Sequence, residues 1–215
     1  MTLRKALLFI VMLLASTFGT AMAQSPGYAP VSPPQPTEAD GKIEVIEFFW
    51  YGCPHCYHLE SSVNAWLKTI PADVVFKRVP AYPSESWGEL ARMFYTIEAM
   101  GLLPQLHGKI FDAIHKDGLN LANKKIRDEW LHKNGVEPGK YDQMSKSFTV
   151  ATNMQRARQM TMNYKVDSVP RVIVNGKYYV GAEEAGGPDR IFKVVDELIA
   201  KVRQEDGKGA PAKKK

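Results

Sequence analysis

The chain has 215 residues, 45% of them hydrophobic and 24% charged, with a formal net charge of +5. The basic excess is modest and sits partly in Lys213, Lys214 and Lys215; no basic stripe with interleaved aromatics runs through the sequence, which excludes nucleic acid as an expected partner. Two cysteines and five histidines, with no second Cys-x-x-Cys and no His-x-x-x-His, leave too few ligands for a structural zinc centre, so no metal site is expected.

In chain order, residues 1–23 read as a cleaved signal peptide. Arg4 and Lys5 precede an apolar run over residues 6–15, and Ala21-Met22-Ala23 is a small-x-small cleavage site. The run is too short to span a bilayer. The mature chain is therefore expected to be soluble and exported, in a compartment where disulfides persist. Residues 24–41 carry Pro26, Pro30, Pro33, Pro34 and Pro36 and few apolar anchors, which predicts a disordered leader outside the core. Residues 42–204 suit one or two compact domains. Residues 205–215 are polar and basic and read as a disordered tail.

A strand is predicted over residues 43–50, a helix from 53 to about 69 stopped by Pro71, and a second strand over 74–79. The pattern then turns helical. Ser86-Trp87-Gly88-Glu89 reads as a capping box before Leu90, Phe94 and Ile97 at helical spacing. Pro104 opens a further helix, Asn123 caps another, and one begins near Glu137 or Pro138. A long helix is predicted over 148–164. Strand character returns in Arg171-Val172-Ile173-Val174 and Lys177-Tyr178-Tyr179-Val180, joined by Asn175-Gly176, a strong hairpin signal. Pro188 opens the last helix. The order β-α-β, several helices, β-β-α predicts an α/β chain with a thioredoxin-like fold interrupted by a helical insertion. The fold proper takes residues 42–82 and 148–204, and the insertion takes 83–147.

The two cysteines stand together in Cys53-Pro54-His55-Cys56, directly after the first strand. A strand delivers the chain to a tight turn and a helix starts at the first sulfur, among unpaired N–H groups at the positive end of the helix dipole. Thiolate is favoured there, and thiolate is the nucleophile of disulfide exchange. Cys56 lies one helical turn deeper, placed to resolve a mixed disulfide. A disulfide closing so short a loop removes little chain entropy, so a purely structural role is a poor use of it.

Glu47-Phe48-Phe49, Cys53-Pro54-His55-Cys56, Val169-Pro170 and Val174-Asn175-Gly176-Lys177-Tyr178 together resemble the DsbA family of periplasmic thiol–disulfide oxidoreductases. The likeness covers nearly all of the chain apart from the leader and the tail. It implies a monomeric periplasmic dithiol oxidase whose only redox group is the Cys53–Cys56 disulfide, with no separate cofactor. Its substrates would be unfolded exported proteins, and a quinone-linked inner-membrane oxidoreductase of the DsbB type would reoxidise it.

The resemblance also assigns residues. Pro54 suits the first helical turn, where its missing N–H costs nothing. His55, between the cysteines, would favour the Cys53 thiolate as an imidazolium. Glu47 is a carboxylate in an apolar strand, costly unless paired; the family places an acid there to relay a proton to Cys56. Glu60 matches a second acidic position. The family's basic residue on the second strand is either Lys77 or Arg78, with Lys77 the candidate. Pro170 would follow a cis bond, and Val169 would offer its backbone to an extended substrate. Trp50 and Tyr51 are expected near the site. An isomerase or reductase on the same fold is the main rival, and a non-catalytic client- or metal-binding protein the second; only a proline-rich leader precedes the first strand, which points away from a dimeric isomerase.

Overall fold

The computed structural model describes residues 26–207; the expected signal peptide and all but the start of the tail lie outside them. Strand β2 (Ile43–Phe49) is buried over its whole length. It pairs in parallel with β3 (Val74–Pro80) and antiparallel with β4 (Arg171–Val174). β4 pairs antiparallel with β5 (Tyr178–Val180) through the hairpin at Asn175-Gly176. Both turn residues have positive φ, 51° and 66°, the geometry that makes Asn-Gly the favoured hairpin sequence.

Helix α1 (Pro54–Leu67) carries the chain from β2 to β3. The predicted insertion comprises α2 (Glu85–Ala99), α3 (Leu103–His115), α4 (Lys124–Lys133) and α5 (Pro138–Ser145), and α6 (Phe148–Asn163) leads back to the sheet. After β5 come a short helix α7 (Ala182–Ala185), a 3₁₀ turn at Pro188–Arg190, and α8 (Ile191–Glu205). Caps set several of these starts. The Asn123 carboxamide accepts from the Lys125 and Ile126 amides at 3.0 and 3.3 Å, and the Glu137 carboxylate accepts from those of Gly139 and Lys140 at 2.9 and 2.8 Å. The expected box at Ser86 is not used. α2 starts two residues earlier, with Ser84 at its N-cap position, so Ser86 and Glu89 both lie inside the helix.

Two hydrophobic clusters flank the sheet. In one, Leu59, Val63 and Trp66 of α1 meet Val195, Leu198 and Ile199 of α8 over Val45, Val172 and Val174. In the other, Phe94, Ile97, Ile110 and Phe111 of the inserted helices pack with Phe48, Phe49 and Tyr51. The insertion is thus fused into the core next to the Cys-x-x-Cys turn.

The leader corrects an expectation. Residues 24–41 were expected to be disordered and outside the core, yet Ala29–Pro30 forms β1, paired with Tyr179 and Tyr178. The sheet order is β1-β5-β4-β2-β3. Val31 is buried in the core and its amide donates to the Lys177 carbonyl at 2.8 Å. The Gln35 amide donates to Gly176 at 2.9 Å, and a Cβ on Gly176 would stand 2.1 Å from the Gln35 carbonyl oxygen. Proline lacks a donor but is tolerated on an edge strand, and β5 offers an edge whose backbone groups need partners. A proline-rich segment therefore acts as an edge cover.

Candidate active site

α1 begins at Pro54, with Cys53 at its N-cap in an extended conformation (φ −91°, ψ 117°). The turn before it is tight: a Cβ on Gly52 would meet the Trp50 ring at 2.4 Å. Both cysteines are thiols here. Cys56 is 0% exposed and Cys53 8%, so the outer sulfur is less open than the sequence suggests. The reason is Val169, whose carbonyl oxygen accepts from the Cys53 thiol at 3.4 Å. The Val169-Pro170 bond is cis and faces the motif across 116 residues of sequence.

The two sulfurs are driven in opposite directions. The Cys56 thiol, then the backbone amides of Cys56 and His55, and last the His55 ring, lower the Cys53 pKa to about 6 against the opposing effect of burial. Cys56 is pushed well up, first by burial, then by its hydrogen bond to Cys53 and the charges of Cys53 and Glu47. The His55 ring is exposed, so the expected role of its imidazolium is the smaller part and its amide the larger.

Beneath Cys56 lies Glu47, 1% exposed. Burial raises its pKa to about 8, against the Arg78 charge and with the help of Glu60. The β2–β3 register pairs Glu47 with Arg78 and Ile46 with Lys77. Lys77, the candidate from sequence, therefore faces the opposite side and binds Glu44. Arg78 takes the place beneath the site: its Nε is 3.3 Å from Glu47 and its Nη2 3.3 Å from Glu60. Glu60 is buried on α1 and also faces His107 at 3.2 Å. Burial alone would raise the Glu60 pKa, but the His107 hydrogen bond and the His107 and Arg78 charges hold it below its ordinary value.

Tyr51 is buried in this network rather than presented to clients, its hydroxyl 2.7 Å from His107 Nδ1. Trp50 is half-buried and stacks on Trp87 at 4.3 Å. A groove of about 940 Å³ opens beside Cys53, lined by His55, His58, Val169, Pro170, Arg171 and Tyr179 among others. Among the described residues, no helix is long and apolar enough to cross a membrane.

Residues 72–198 match the family model described as a DSBA-like thioredoxin domain. The chain is 42% identical over 185 residues to the thiol:disulfide interchange protein DsbA of Azotobacter vinelandii, covering 86% of this chain and 84% of that one. It is 39% identical over 207 residues to the DsbA of Pseudomonas aeruginosa, covering 94% and 98%. This chain belongs to the DsbA family. The crystal structure of Pseudomonas aeruginosa DsbA superposes with a TM-score of 0.80 at 40% identity, over 85% of this chain and 95% of that one. The fold expected from the DsbA resemblance, a thioredoxin-like unit with inserted helices, is the one observed.

Sequence reasoning named Cys53, Pro54, His55, Cys56, Glu47, Glu60, Val169 and Pro170, and the structure brings all of them to one end of the sheet. It preferred Lys77 to Arg78 on the second strand, and it missed His107. Arg78 follows from strand register, which one residue of slip reverses. His107 carried only a weak signal, a histidine on the apolar face of an inserted helix.

Proposed function

We propose that this DsbA-family chain is a periplasmic dithiol oxidase that passes its Cys53–Cys56 disulfide to newly exported proteins. One observation carries the reading: Cys53 stands at the N-cap of α1, where its pKa is lowered, and Cys56, one turn deeper, is fully buried with its pKa pushed up. In the disulfide form, a client thiolate attacks Cys53 Sγ. The Cys53–Cys56 bond breaks, its electron pair goes to Cys56 Sγ, and Cys56 takes up the proton that Glu47 holds beneath it. A second client thiolate then attacks the client sulfur of the mixed disulfide. Cys53 leaves as a thiolate, and the client departs oxidised by two electrons. Low basicity makes Cys53 a good leaving group, which favours client oxidation over client reduction.

The groove supports recognition of extended, unfolded chains. Val169 and Pro170 present backbone rather than side chain beside the reactive sulfur, and backbone pairing tolerates any sequence. Residues 1–23 are proposed to direct export to the periplasm, and an inner-membrane quinone-linked oxidoreductase of the DsbB type to restore the disulfide. The redox group is then the cysteine pair itself.

The test is paired urea unfolding of reduced and oxidised protein across pH. The folded Cys53 pKa of about 6 lies below the reference value of 9.0. Between these values the unfolded reduced chain binds at Cys53 a proton that the folded one does not, so the Cys53 contribution to reduced-form stability rises with pH through that window and is lost as pH falls towards 6. Oxidised protein has no thiol to titrate. The expected result is a reduced form more stable than the oxidised form at pH 7, with the gap closing towards pH 6. A more stable oxidised form at pH 7 would replace the oxidase with a reductase.

A further inference from the structure

A run of buried polar groups, joined by hydrogen bonds as far as Glu60 and by ion-pair contacts from there to Glu47, leads from the inserted helices towards the resolving cysteine. Tyr51 reaches His107 Nδ1 at 2.7 Å, His107 Nε2 stands 3.2 Å from Glu60, and Arg78 bridges Glu60 and Glu47 at 3.3 Å to each. His107 comes from α3, Glu60 from α1, and Glu47 and Arg78 from β2 and β3. The other ionisable groups acting on this run are Cys53 and Cys56 at the motif, Glu98 on α2 and Tyr141 on α5.

Two carboxylates here share one guanidinium. With both ionised, a buried negative charge would stand uncompensated, so the pair retains one proton. The partners decide where it sits. Glu60 accepts hydrogen bonds from His107, Arg78 and Asn64. Neither oxygen of Glu47 has a hydrogen-bond partner. Charge therefore belongs on Glu60 and the proton on Glu47.

The tautomer of His107 follows from the same contacts. The buried Tyr51 hydroxyl has Nδ1 as its acceptor, which leaves the ring proton on Nε2, aimed at the Glu60 carboxylate. We infer that His107 is a positioning residue of the redox site: by donating to Glu60 it keeps the shared proton on Glu47, beside Cys56. Burial holds the His107 pKa below its ordinary value, in keeping with a neutral donor. The consequence deepens the oxidase reading and rests on it. When the disulfide opens, the Cys56 thiolate needs an acid, and His107 ensures that the acid is Glu47. The helical insertion thereby supplies a group that sets the protonation of a site on the thioredoxin-like part.

The experiment follows the carboxyl carbons of Glu47 and Glu60 by NMR in reduced, glutamate-labelled protein, comparing wild type, His107→Gln and His107→Leu. Glutamine keeps a donor for Glu60 and an acceptor for Tyr51. Wild type and His107→Gln are expected to titrate Glu47 well above Glu60. In His107→Leu the Glu47 midpoint is expected to fall and the Glu60 midpoint to rise, each by about one pH unit. An unchanged separation in folded His107→Leu overturns the inference, as does a His107→Gln protein that behaves like His107→Leu. A second measurement needs no variant: ring ¹⁵N shifts of His107 in wild type should report a neutral, Nε2-protonated ring from pH 6 to 8, and an imidazolium or an Nδ1-protonated ring refutes it. Neither readout uses client oxidation, so failure of the oxidase reading remains separately visible in the unfolding comparison.

Discussion

The paired strands β2 and β3 carry two acid–base pairs, the acids three residues apart and the bases adjacent, and the two behave differently. On one face, Glu44 binds Lys77, whose side chain is 31% exposed and lies within 3.7 Å of a second carboxylate, Glu38. On the other, Glu47 meets Arg78, which it shares with Glu60 under the cysteines. The chemistry of the partners is alike, but the surroundings are not. In the first, Lys77 reaches water, and the second acid, Glu38, is exposed and has Arg156 as a further cation; the second pair is enclosed by α1, α3 and the motif, with both acids buried around Arg78. A proton is stored where charge is both buried and unbalanced, and that condition is met only on the cysteine side.

The largest expected effect concerns which side does the chemistry. Cys53→Ser should reduce oxidation of a model dithiol peptide to the uncatalysed rate, while Lys77→Met should leave it within about twofold, because Lys77 lies on the face of the sheet turned away from the cysteines. A Lys77→Met protein as inactive as Cys53→Ser would erase the distinction between the faces.

Next comes stability. Arg78→Met leaves Glu60 buried with His107 as its main remaining donor, and a broken buried pair costs about 3–5 kcal/mol. Protonation of the carboxylates relieves part of this, so roughly 2–4 kcal/mol is expected from urea unfolding at pH 7. A loss below that of Lys77→Met would show that Arg78 is not enclosed as described.

A smaller effect appears in pH dependence. The Glu47 pKa is raised from 4.5 to about 8. Between those values the folded protein binds a proton that the unfolded chain has lost, so this stabilising contribution is complete below pH 4.5 and is lost as pH rises through 8. Glu47→Gln removes the titration. The stability of reduced wild type minus that of reduced Glu47→Gln should therefore fall from pH 5 to 8, by at most about 1.4 kcal/mol per pH unit. A flat difference would place the shared proton elsewhere. The smallest change is expected for Lys77→Met, roughly 1 kcal/mol by the same unfolding assay, since Lys77 is 31% exposed and water entering at its place can solvate the buried Glu44 carboxylate.

Much of this was legible because it is local. Cys53-Pro54-His55-Cys56 states its helix start within four residues, Asn175-Gly176 its turn within two, and Asn123 its cap within three. The apolar run of residues 43–49 marked a strand, and the charge of Glu47 inside it marked a candidate site. What stayed hidden depends on pairing between distant segments. Lys77 and Arg78 are adjacent basic residues, and only the β3 register on β2 decides which one lies under the cysteines, because successive strand residues point to opposite faces. The leader read as disordered because prolines and few apolar residues give it no core of its own; the free edge of β5, about 150 residues away in sequence, gives it a place. His107 looked like one more residue of an amphipathic helix until packing set it between Tyr51 and Glu60. The sequence by itself marked the candidate nucleophile, its helix and the family. The tertiary structure decided which charges face one another, and thereby the proposed place of the reaction's proton, because burial and distance between side chains are properties of the packed chain.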